Sequence, residues 1–222
     1  MKTKLMLLML VVGQLATAQT RKEINLKTWE FSRDNQTWTS VQIPHDWAIA
    51  GPFDKKWDLQ RVAITQNGET EATEKSGRSG ALPWIGEGWY RTQVDVPQGY
   101  EAAELVFDGA MAEPRVSING REAGYWAYGY NAFRVDATPY LSKGRLDISV
   151  HLQNVKESSR WYPGAGLYRP VKLVLTQKAH IDDWSLYVRT ISIKNGKAVV
   201  EAEGQVVNAA DGMVAQLTLT AP

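Results

Sequence analysis

Trp84-Ile-Gly-Glu-Gly88-Trp-Tyr-Arg-Thr-Gln-Val-Asp-Val96 decides the fold. A Gly-Glu-Gly corner runs into a segment in which Tyr90, Thr92, Val94 and Val96 fall on one face and Trp89, Arg91, Gln93 and Asp95 on the other. Period-two alternation rich in aromatic and β-branched residues predicts a half-buried strand. The glycines free the backbone just ahead of it.

Working outward, similar segments recur. Short aromatic strands are expected around Trp29–Phe31 and Trp38–Ile43, and Pro44 stops the pairing. Further strands are predicted at Ala103–Asp108, Arg115–Ile118, Arg121–Tyr125, Ala132–Asp136 and Arg145–Gln153, with Val171, Leu173 and Leu175 on a last one. Asn119-Gly120 between two of them is a strong hairpin signal. No stretch has a helical period. The expectation is an all-β antiparallel sandwich of the jelly-roll type over residues 19–178. Val94, Phe107, Ile118, Phe133, Ile148, Val150 and Leu173 should share its core.

Residues 179–222 begin a second unit, with strands expected at Ile181–Val188, Thr190–Ile193, Lys197–Glu203 and Met213–Thr220. This is about half of an immunoglobulin-like β-sandwich, which needs about seven strands. A partial domain of this kind marks the chain as a piece of a longer protein. Its open strand edges favour self-association into a homo-oligomer.

The first residues set the destination. Lys2 and Lys4, the apolar run Leu5–Val12 and Ala16-Thr-Ala18 form a signal peptide, residues 1–18. The run is too short to span a bilayer. The mature protein is therefore expected to be exported, periplasmic or secreted, with no membrane association after cleavage. The 25 basic residues, less Lys2 and Lys4, stand against 24 acidic ones, which leaves one net negative charge. That balance gives no basic face for nucleic acid. The chain has no cysteine, so packing without disulfides must stabilise it.

Candidate chemistry is sparse. Asp46, Asp54 and Asp58 cluster locally, but Asp46 reads as a turn-fixing acceptor. His45, His151 and His180 lack metal-ligand spacing, so no structural zinc, other metal or cofactor is expected, and His151 reads as solvated. Gly164-Ala-Gly166 lacks the βαβ context of a nucleotide fingerprint. Ser76 and Ser79 lack a nucleophile elbow. The better candidates are loop aromatics and arginines: Arg78, Trp84, Trp126, Tyr128, Arg160 and Trp161. Aromatic faces stack on sugar C–H surfaces, and guanidinium groups donate in pairs. The alternative is that these side chains merely attach the domain to a neighbouring one.

Six motifs then appear in order. They are Pro44-His-Asp-Trp47, Gly86-Glu-Gly-Trp-Tyr-Arg91, Phe107-Asp-Gly109, Ile118-Asn-Gly120, Gly129-Tyr-Asn-Ala-Phe133 and Arg160-Trp-Tyr-Pro-Gly-Ala-Gly-Leu-Tyr-Arg169. Together they resemble the N-terminal sugar-binding domain of glycoside hydrolase family 2, over about residues 24–178. The resemblance implies a galactose-binding-domain-like jelly roll packed on a catalytic TIM barrel, which supplies two glutamates for a retaining mechanism. Such a pair needs carboxyls about 5–5.5 Å apart. No catalytic residue is therefore assigned within this chain. The resemblance also implies that the loop before Gly86 and the segment Ser159–Trp161 reach the barrel mouth, which makes Arg78, Trp84, Arg160 and Trp161 substrate-binding candidates. Ile85 and Arg160 stand where well-known β-galactosidases carry a sugar-contacting Asn and Asp, which leaves the sugar open. Two functions fit: the non-catalytic N-terminal part of an exported β-galactosidase-like glycosidase of carbohydrate catabolism, or a stand-alone carbohydrate-binding module.

Overall fold

The structure, a computed structural model, describes residues 21–54, 84, 86–154 and 164–213. The predicted signal peptide, most of the insertion between Trp47 and Gly86, and the strand expected from Met213 to Thr220 lie almost wholly outside these residues. Ten strands build a sandwich: β1 (Arg21–Asn25), β2 (Thr28–Ser32), β3 (Thr39–Gln42), β4 (Glu87–Asp95), β5 (Ala102–Phe107), β6 (Arg115–Ile118), β7 (Arg121–Tyr125), β8 (Phe133–Asp136), β9 (Arg145–Gln153) and β10 (Val171–Thr176). One sheet has the order β1-β10-β5-β8 and the other β3-β2-β4-β9-β6-β7. From β4 onward the chain passes repeatedly from one sheet to the other, as a jelly roll requires.

The alternation of β4 governs the larger sheet. Its longest ladder pairs Glu87 with Gln153 through to Asp95 with Arg145 on β9. Tyr90 and Val94 of β4, and Leu146, Ile148, Val150 and Leu152 of β9, face inward. They meet Ala103, Leu105 and Phe107 of β5 and Leu173 and Leu175 of β10 in one continuous core. All seven predicted core residues are buried there. The outer face carries cross-strand polar pairs: Gln93 Nε2 donates to Asp147 Oδ1 at 2.8 Å, and Arg91 pairs with Glu30 at 2.6 Å.

Three local features differ from the sequence expectation. β1 was not foreseen, because only Ile24 is apolar among its charged residues; it is an edge strand, paired on one side by β10. A 3-10 turn, Thr138–Lys143, joins β8 to β9 and ends on Gly144 at φ 65°. The strand expected over Ile181–Val188 is broken: Asp182 O accepts the Ser185 amide at 3.0 Å, turning the chain after β11 (His180–Ile181). A single long strand, β12 (Tyr187–Lys194), follows and pairs through Asn195-Gly196 with β13 (Lys197–Glu203). β11 pairs with β14 (Val206–Val207). Most side chains of the β12–β13 hairpin are exposed.

This second segment is tied to the outer face of the smaller sheet. Arg134 of β8 reaches Glu104 at 3.0 Å and Asp182 at 3.1 Å while lying 3.8 Å over the Trp184 ring. Arg21 holds the Asp183 carboxylate through two nitrogens.

Because Ile148 is fully buried between the sheets, Ile148→Ala should lower unfolding stability by about 2–5 kcal/mol in urea denaturation. A loss below about 0.5 kcal/mol, the level of an ordinary surface change, would contradict the packing described.

Candidate functional site

The pairing of β4 with β9 brings the two predicted loop roots together. Glu87 opposes Gln153, so the chain entering β4 and the chain leaving β9 lie side by side. The Asn154 amide donates to Gly86 O at 2.8 Å, and the Gln153 amide to Ala112 O at 2.9 Å. The end of β7 lies at this same end of the sheet, because Arg115 opposes both His151 and Tyr125.

Beneath the roots sits an aromatic box. The segment Pro44–Ala48 packs on the inner side of β2 and β4: Trp47 stacks on Phe31 at 5.6 Å and on Tyr90 at 6.3 Å. The box closes because Gly88 and Gly166 lack side chains. A Cβ on Gly88 would overlap the Trp47 ring, and one on Gly166 would lie 2.7 Å from His45 O. Gly166, at φ 82°, also pairs through its backbone with Met111, and the His45 amide donates to Leu167 O at 2.8 Å.

Burial sets the charges of the box. It pushes the Tyr90 hydroxyl well above the ordinary tyrosine value. Burial also lowers His45, against the pull of Asp46 and with help from Arg33. His45 Nδ1 and the Tyr90 hydroxyl are hydrogen-bonded at 2.7 Å. Arg33, itself lowered by burial, donates to the carbonyls of Trp47 and Gly51 and lies 4.9 Å over the Trp84 ring. Asp46 Oδ1 accepts the Ala48 amide at 2.9 Å, the turn-fixing role expected of it. Asp34, just after β2, takes the amides of Thr37 and Gln36 and is held as a carboxylate far below the usual range.

Of the four substrate-binding candidates, only Trp84 is described. It is half-buried against Trp47 at 6.0 Å, with the Arg33 guanidinium over its ring and the Gly86 backbone beside it. Arg78, Arg160 and Trp161 lie outside the described residues, as does Asp58. Trp126 and Tyr128 are exposed on the loop after β7. His151 is not simply solvated: its ring stacks on Trp89 at 4.8 Å and its Nε2 lies 3.0 Å from Glu87 Oε2. Sequence reading missed the His45–Tyr90 pair, whose members are 45 positions apart and meet only in the fold.

The lowered His45 makes stability depend on pH. The unfolded chain protonates His45 near the ordinary value of 6.5 while the folded chain resists, so its contribution is present above 6.5 and lost as pH falls toward the folded value. Between about pH 7.5 and about pH 5 the urea midpoint should fall further for the wild type than for His45→Gln. Equal falls would contradict the assignment.

No family model matches the chain. A β-galactosidase of Bacteroides ovatus is 35% identical over 178 residues, which cover 78% of this chain and 19% of that protein. A glycosyl hydrolase family 2 member from Bacteroides cellulosilyticus superposes with a TM-score of 0.64 at 27% identity, over 84% of this chain and 25% of its own. A β-glycosidase from Bacteroides vulgatus gives 0.63 at 26%, over 85% and 24%. The chain thus spans about a fifth of the length of the curated relative and about a quarter of the two solved structures. In sequence and in fold, the homologues of this chain are glycoside hydrolase family 2 proteins, and it corresponds to the N-terminal part of those much longer chains.

Proposed function

We propose that the chain is the non-catalytic N-terminal part of an exported glycosidase that hydrolyses β-linked O-glycosidic bonds, and that its loop end forms one wall of the sugar site. The observation that carries this reading is the adjacency of the two loop roots, tied by the Asn154 amide and Gly86 O. That adjacency supports the reading that Arg78 and Trp84, from the segment before β4, and Arg160 and Trp161, from the segment after β9, contact a single sugar. The aromatic box under them supplies rigidity, which positioning groups require.

Catalysis is assigned to a glutamate pair on a barrel in the same polypeptide. Two of the described carboxylates serve structure: Asp46 accepts a backbone amide in a turn, and Asp34 is held as an anion by backbone amides, unsuited to donating a proton. The leader at residues 1–18 supports export.

The test sets purified residues 19–222 beside the product of the whole gene, each offered aryl β-galactosides, β-glucosides and β-glucuronides. Only the whole product should release aryl alcohol. In it, Arg160→Ala and Trp161→Ala should each lower kcat/KM by roughly tenfold to a hundredfold, as displaced positioning groups do. Turnover by residues 19–222 that survives repurification would overturn the reading.

A further inference from the structure

The loop Tyr125–Asn131, between β7 and β8, carries four exposed aromatic residues in a rigid frame. Phe107 and Phe133 stack at 4.6 Å with planes 1° apart, and Trp126 continues the column on Phe133 at 5.9 Å and 6°. The column runs from the core to the surface: Phe107 is fully buried, whereas Trp126 keeps 38% of its surface. The Trp126 indole donates to Asn131 Oδ1 at 2.8 Å, and its amide to Pro114 O at 3.1 Å. The indole is thus held by a hydrogen bond and by its stack on Phe133 while more than a third of the residue stays exposed.

The rest of the loop is equally held. Gly129 fits against Met111, where a Cβ would overlap the sulfur, and Gly129 O accepts the Tyr168 hydroxyl at 2.7 Å. Tyr128 and Tyr130 meet edge to face at 5.5 Å, with 59% and 42% of their surfaces exposed. Exposing large aromatics forgoes the stabilisation of burial. Here the loop is built to keep them out rather than to fold them in.

We propose that Trp126 and Tyr128 form a carbohydrate platform that stacks the flat face of a β-linked glucopyranose or galactopyranose unit. A β-glucopyranose keeps its hydroxyls equatorial around the rim, and a galactopyranose, despite its axial 4-hydroxyl, keeps a C–H patch on the opposite face, so either offers an indole an apolar surface. Tyr128, Tyr130 and Asn131, on the same loop, carry hydroxyl and amide groups able to hydrogen-bond a sugar's rim. The platform shares its end of the sandwich with the loop roots, so it holds a unit of the same glycan away from the bond that is cut. This rests on the proposed function for the chemistry of the ligand, and on the ring column for the site.

The purified chain is titrated with cellotetraose and with lactose while the Trp126 indole N–H, assigned by its loss in Trp126→Phe, is followed by NMR. Saturable binding that moves this signal is expected, weakened about tenfold by Trp126→Ala and about threefold by Tyr128→Ala. Trp184→Ala, far along the chain and engaged with Arg134, should bind as the wild type does. Thermal unfolding of each variant reports whether it folds, and Tyr128→Ala, at a highly exposed position, keeps the test valid if Trp126→Ala does not. Absence of saturable binding by either sugar, or binding indifferent to both substitutions, overturns the platform. The titration reads binding by this chain alone, so its failure is separable from failure of the hydrolysis assay on the whole gene product.

Discussion

The loop end depends on two places where a side chain is absent. Gly88 lets the Trp47 ring lie against β4, and Gly166 lets the chain after β9 press on Tyr90 and the His45 carbonyl. A methyl group at either position would overpack the box, a change that typically costs about 1–3 kcal/mol. From that contact follow the buried hydroxyl of Tyr90, its hydrogen bond with His45 Nδ1, and the Arg33 guanidinium that donates to the carbonyls of Trp47 and Gly51. The chain entering β4 and the chain leaving β9 sit directly on this box.

Much of this was legible in the sequence, for a physical reason. Where a strand has one face in the core and one in water, its alternation records both, and β4 and β9 were read nearly to the residue. Asn119-Gly120 and Asn195-Gly196 mark the observed hairpins, since all four residues take positive φ. β1 was illegible because an edge strand of mixed charge has little apolar pattern, and the break at Asp182–Ser185 because a turn made by one carbonyl leaves no composition signal.

The candidate site was legible only in part. Its loops announce themselves by glycine and aromatic content, but the contacts that hold them are long-range. His45 and Tyr90, Gly166 and Met111, and Phe107 with Phe133 and Trp126 meet through topology rather than spacing. Trp84, singled out as a sugar contact, turns out to be half enclosed by Trp47 and Arg33, so much of its surface anchors the loop that bears it. The outer face of the smaller sheet is organised differently: Arg134, between two carboxylates and over an indole, ties the second β segment to the first.

Hydrogen exchange on Gly166→Ala tests most directly whether the glycine-to-aromatic contact holds the loop roots. The amides of His45 and Asn154, which donate to Leu167 O and Gly86 O, should exchange at least about tenfold faster than in the wild type, while the β5–β10 ladder keeps its protection. Unchanged exchange at both amides in a folded variant would contradict the account.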